Sequence, residues 1–106
     1  MITVTISKTS RQYIGFTVKG HADYAQEGYD IICAAVSVLT VNTLNSIEAF
    51  TEDAFFGEQD DGYISCRFSE SLSPQAALLM DSMVLGLTDI QNHYGKQYIK
   101  LIFEEV

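Results

Sequence analysis

Ile2, Val4 and Ile6 alternate with Thr3, Thr5 and Ser7, the period of two that marks a half-buried strand. Arg11 and Gln12 follow in a short turn. Ile14, Phe16 and Val18 then alternate with Gly15, Thr17 and Lys19. Two such runs joined by a short turn predict a hairpin, and Gly20 ends it. From His21 to Asp30 neither the strand period nor a helical one holds. Gly28 and several polar residues sit there, so the segment reads as a loop, and long loops in compact domains are often functional.

The next segment, Ile31 to Phe50, is rich in β-branched residues, which suit strands. At about twenty residues without a turn signal it is too long for an ordinary strand. Helical spacing instead places Ile32, Ala35, Val36, Leu39, Ile47 and Phe50 on one face, with Asp30 as N-cap. Val38, Val41 and Leu44 make other faces apolar, which predicts burial on several sides and a share in a subunit contact. Ala54 to Gly57 reads as a short strand, Asp60-Asp61-Gly62 as a turn, and Ile64, Cys66 and Phe68 as the inward residues of a returning strand. Ser73-Pro74 is an N-cap followed by proline at the first helical position. Ala76, Met80, Met83, Leu87, Ile90 and Tyr94 continue at spacings of three and four, and Gly95 closes that helix. Gly86 inside it predicts close packing against another backbone. Ile99, Leu101 and Phe103 alternate in a last strand. The order β-β-α-β-β-α-β predicts an α+β fold, a mainly antiparallel sheet carrying two long helices.

At 106 residues, 47% of them hydrophobic, the chain reads as one domain spanning 1–106 with a small core. Its uninterrupted apolar runs are too short to suggest a membrane span. No signal segment precedes the first strand, so a soluble, cytoplasmic protein is expected. Fourteen acidic residues against six basic give a net charge of −8. That charge argues against direct nucleic-acid binding and is compatible with a basic protein partner, or simply with solubility. His21, Cys33, Cys66 and His93 lack paired metal-ligand spacing, so neither a metal nor another cofactor is expected.

Cys33 falls in the first turn of the predicted helix. Unpaired N–H groups and the helix dipole there favour a thiolate and a developing oxyanion, while the charge of Asp30 opposes the thiolate. A small buried hydrophobe would fit the position as well. His21, at the end of a strand where a loop begins, could be brought to Cys33 by that loop, since a cysteine nucleophile needs its base near in space rather than in sequence. Ser37 lies one turn beyond Cys33 on the same side; it could bond the thiol, the histidine or a bound peptide, or its own preceding carbonyl. Cys66 is in phase with Ile64 and Phe68 and reads as core. His93 sits in the last turn of the second helix, where a cation suits the dipole.

Gly20-His21-Ala22, then a loop, then Asp30-Ile31-Ile32-Cys33-Ala34-Ala35-Val36-Ser37 resembles the hallmark of the ribosomal-processing cysteine proteases (Prp): G-H-A, about ten residues, and D-x-x-C-A-x-x-S. The resemblance extends to length and element order. It implies a homodimeric protease that removes the N-terminal extension of a large-subunit ribosomal protein at a Phe-Phe-Ala-type site. It also implies that Cys33 is the nucleophile and His21 the general base and acid. Asp30, Ser37, Gly20 and Ala34 then support them, with Asp30 orienting His21, capping the helix, or both. The intervening loop, Ala22 to Tyr29, is expected to order when substrate binds. Two other functions fit an acidic chain with a lone first-turn cysteine: a non-catalytic ribosome-associated binding module, and a different thiol chemistry such as acyl transfer or redox sensing.

Overall fold

The computed structural model describes residues 1–20 and 31–106 in full and residue 30 by its backbone. The loop expected to order on substrate binding lies outside the described residues. The elements follow the predicted order: β1 (Ile2–Lys8), β2 (Tyr13–Gly20), α1 (Asp30–Phe50), β3 (Phe55–Asp60), β4 (Tyr63–Phe68), α2 (Pro74–Tyr94) and β5 (Ile99–Glu105). One five-stranded sheet runs β3-β4-β2-β1-β5. All neighbours are antiparallel except β1 and β5, which run parallel.

Period-two patterning places the core on one side of the sheet. Ile2, Val4 and Ile6 of β1, Phe16 and Val18 of β2, and Ile64, Cys66 and Phe68 of β4 are buried together. Register aligns them, with Val4 opposite Val18 and Val18 opposite Ile64. Ile32, Val36 and Ile47 of α1 and Ala76, Met80, Met83 and Leu87 of α2 join the same cluster. An irregularity between Ser7 and Lys8 shifts the start of β2, so Tyr13 is buried and Ile14 is not. The Tyr13 hydroxyl donates to the Asp81 carboxylate at 2.5 Å, tying the first hairpin to α2. Burial first, and the Asp81 carboxylate second, push that phenol above its ordinary range.

Several side chains depart from the sequence reading for identifiable reasons. Phe50 is 78% exposed. A 21-residue helix is about 31 Å long, whereas the strands beneath it have six to eight residues, so its last turn overhangs the sheet. The buried stripe of α1 instead includes Thr40 and Thr43. Their hydroxyls donate to the carbonyls of Val36 and Leu39 at 2.8 and 2.7 Å, which makes burial of the polar groups tolerable. By length and composition alone, Ile31–Phe50 is apolar enough to cross a membrane; here Ile32, Val36 and Ile47 pack into the core. Gly86 meets a side chain rather than a backbone, since a Cβ there would lie 3.0 Å from a methyl of Leu39. The third strand is longer than Ala54 to Gly57 and runs from Phe55 to Asp60. Phe103 of β5, although opposite Ile6, is exposed. The outer edge of β5 is partly covered by α2, because the Leu101 N–H donates to the Gln91 side chain at 2.8 Å.

The start of α2 carries a pH-dependent lock. Ser73 caps it, its hydroxyl oxygen accepting from the Ala76 N–H at 3.1 Å. The Ser73 N–H and hydroxyl both donate to the Asp53 carboxylate, at 2.7 and 2.5 Å. These bonds hold the Asp53 carboxyl below its ordinary value of 3.8. A carboxyl lowered on folding stabilises the fold above its unfolded value, and the contribution is lost as pH falls through the folded value. Ser73→Ala should therefore cost about 1 kcal/mol of stability. The difference in urea midpoint between wild type and Asp53→Asn should shrink as pH is lowered below the ordinary carboxylate range.

Candidate active site

Cys33 lies in the first turn of α1, half-buried and packed on the edge of the core. The helix includes Asp30 as its first residue, one position earlier than the N-cap reading. Helical pairing then engages the Ala34 N–H with the Asp30 carbonyl. The amides left without a helical partner are those that precede Cys33.

Beside Cys33 opens a cavity of about 460 Å³. Cys33, Val36 and Ser37 form its α1 wall, Ile2 and Val18 its floor, and Gly20 a corner. The opposite wall is the β3–β4 hairpin, Gln59 to Ile64. The structure thus brings together three residues singled out by sequence, Cys33, Ser37 and Gly20. Ser37 is exposed on that wall, and its carbonyl is a second acceptor for the Thr40 hydroxyl at 3.3 Å. Ala34 is exposed and does not line the cavity. His21 and the side chain of Asp30 lie outside the described residues.

Gly20 is fixed to the cavity rim. Its N–H donates to the Gly62 carbonyl at 2.9 Å, joining the end of β2 to the hairpin turn. Its φ of 96° is in the region that favours glycine. A Cβ at this position would also collide with the Met1 carbonyl oxygen. Gly20→Ala should consequently lose about 1–3 kcal/mol, read as a lower urea midpoint, and lower the cleavage rate by shifting the residue that follows it.

The hairpin wall was not singled out by sequence reasoning as part of the site. Asp60-Asp61-Gly62 was legible as a turn, but only the pairing of β4 with β2 carries it to the end of β2, beside Gly20. Its two carboxylates make the cavity mouth acidic. The Asp60 Oδ1 accepts the Asp61 N–H at 2.8 Å, which holds the turn in shape.

Cys66 offers a contrast within the same chain. It is 5% exposed on β4, and burial pushes its thiol up to about 12, so it is an inert core residue. Among the described residues no three His, Cys, Asp or Glu side chains converge as metal ligands do.

A half-buried cysteine in the first turn of a helix, beside an open cavity on an α+β sheet, is compatible with thiol-dependent chemistry. The family model for cysteine protease Prp matches residues 1–100, and the chain belongs to that family. It is 32% identical over 102 residues to the ribosomal processing cysteine protease Prp of Bacillus subtilis, covering 89% of this chain and 90% of that one. The structure is similar to that of the essential ribosomal processing protease Prp from S. aureus in complex with a covalently linked product peptide. The TM-score is 0.90 at 28% identity, with 98% of this chain and 100% of that one covered. A second structure of the S. aureus protease, in complex with a substrate peptide, gives 0.88 at 27% identity with the same coverage.

Proposed function

We propose that this cysteine protease removes the N-terminal extension of a large-subunit ribosomal protein, cutting at a Phe-Phe-Ala-type site through Cys33. The observation that carries the reading is the placement of Cys33 and Ser37 on one wall of a cavity whose rim is Gly20, the residue before His21. The acidic mouth at Asp60 and Asp61, in a chain of net charge −8, favours a basic protein as substrate.

In the proposed mechanism His21 takes the Cys33 proton and the thiolate attacks the scissile carbonyl carbon. The tetrahedral oxyanion is held by N–H groups at the start of α1. Collapse breaks the C–N bond, and His21 gives its proton to the leaving amine. Water then cleaves the thioester, releasing the second peptide and regenerating the thiol. Asp30 orients His21 as the third member of a triad would, or serves the helix start alone. Ser37, one turn along the same wall, is placed to bond the bound peptide. The protein acts in the cytoplasm as a homodimer, for which exposed Ile31 and Val38 of α1 supply an apolar face.

Depleting the protein from its own cells tests the reading. The large-subunit ribosomal protein should accumulate with its extension in place, detected by its intact mass. A fully mature N-terminus after depletion would overturn the assignment and favour a binding module.

A further inference from the structure

A cavity of about 250 Å³ opens between the β1–β2 turn and the first turns of α2. It is distinct from the Cys33 cavity. That one holds Ile2 and Gly20, at one end of the first hairpin, and this one holds Lys8 and Tyr13, at the other. The seven residues of β1 set the two ends about 20 Å apart.

Its charges are sorted by wall. Lys8 and Arg11 stand on the hairpin side and Asp81 on the helix side. The Tyr13 ring, 9% exposed, lies between them, with half-buried Leu72 and Ala77 beside it. The Lys8 ammonium is 5.2 Å from the centre of that ring, and Asp81 accepts the hydroxyl of the same ring at 2.5 Å. Among the described residues, no ion pair joins Asp81 to Lys8 or Arg11. None joins Lys8 to Glu105 either, its partner in the β1–β5 register. Tyr13 thus holds opposite charges on either side of an open space. The chain has fourteen acidic residues and only six basic ones, so two cations on one cavity without a carboxylate partner are a local excess of positive charge.

We propose that this cavity binds a free α-amino acid with an apolar side chain. The ligand's carboxylate meets Lys8 and Arg11, its ammonium meets Asp81, and its side chain lies on Tyr13, Leu72 and Ala77. A lone anion is repelled by Asp81 and a lone cation by Lys8 and Arg11; a zwitterion meets each wall with the opposite charge. The space is smaller than the ~300–1,000 Å³ typical of pockets for drug-sized ligands, which suits a ligand of one residue. The hairpin wall is built in advance. The Thr9 hydroxyl oxygen accepts the N–H groups of Arg11 and Gln12 at 3.2 and 3.1 Å, so little ordering is left for the ligand to impose. Arg11 and Asp81 are exposed, and solvent screens such pairs, which puts the affinity in the millimolar range. The bound amino acid braces the first hairpin against α2, beside the Tyr13–Asp81 bond, and its binding is independent of the chemistry at Cys33.

The test titrates the full chain, at low salt, with leucine, N-acetylleucine and leucinamide, followed by ¹H–¹⁵N NMR. Leucine should move the Arg11 and Ala77 amides saturably. N-acetylleucine lacks the ammonium and leucinamide lacks the carboxylate, so each should bind wild type about 3- to 10-fold more weakly, the scale of one charge-assisted contact at a partly exposed site. Asp81→Asn still accepts the Tyr13 hydroxyl. It should weaken leucine by the same factor and leave N-acetylleucine unchanged. The double substitution Lys8→Met with Arg11→Gln should weaken leucine and N-acetylleucine and leave leucinamide unchanged. The unchanged probe in each case shows that the variant keeps its fold. Leucine shifts that do not saturate, or that fall on residues of the Cys33 cavity instead, overturn the proposal. So does wild type that binds leucine no better than its two blocked forms, a comparison that needs no variant at all.

Discussion

Cys33→Ala should lower the rate of precursor cleavage by at least about 10⁴-fold, the scale on which removing a covalent nucleophile acts. The loss should fall on kcat, with peptide affinity near that of wild type. The cavity walls at Val36, Ser37 and the Gln59–Ile64 hairpin do not depend on the thiol. Alanine suits a helical position, and a half-buried cysteine on the core edge leaves only a small gap when its sulfur is removed. The variant should therefore unfold in urea close to wild type. It should also hold an uncut precursor peptide, measurable by fluorescence anisotropy. Cys66→Ala is the matched control. It removes a thiol already silenced by burial, so it should cost stability and spare the chemical step.

His21→Ala should slow cleavage about 10²- to 10⁴-fold, the range of a positioned acid–base group. Gly20 supplies the physical reason to expect His21 at the site. Its N–H is bonded to the Gly62 carbonyl and it lines the cavity with Cys33. The next Cα along the chain is about 3.8 Å away. The pH–rate profile should change along with the rate. Wild type should show a limb that the variant lacks, because His21 is the proposed proton carrier. A flat profile in wild type, or an equal limb in His21→Ala, would remove His21 from the proton-transfer role.

Much of the architecture was legible because this sequence follows simple periods. Ile2, Val4 and Ile6, and Ile64, Cys66 and Phe68, alternate without interruption and are buried as read. Ser73-Pro74 and Gly95 bound α2 where the structure bounds it. Burial failed to follow pattern where an element outruns its cover, as at Phe50 and Phe103. It also failed where a polar residue satisfies itself, as at Thr40 and Thr43. Neither effect leaves a local signature. The nucleophile side of the site was readable from a loop leading into a helix start. The opposite wall was not, because Asp60 and Asp61 reach the cavity only through long-range pairing of β4 with β2. The parallel pairing of β5 with β1 is likewise a tertiary choice, made when the chain leaving α2 returns beside the first strand.

One reaction tests most directly whether Cys33 cuts the ribosomal precursor. The large-subunit ribosomal precursor, incubated with wild type and with Cys33→Ala, is followed by intact mass spectrometry. Wild type should yield two peptides whose masses sum to the precursor plus one water, and Cys33→Ala should leave the precursor whole. Trimming by Cys33→Ala, or a wild-type product that is a single adduct rather than two peptides, would contradict it.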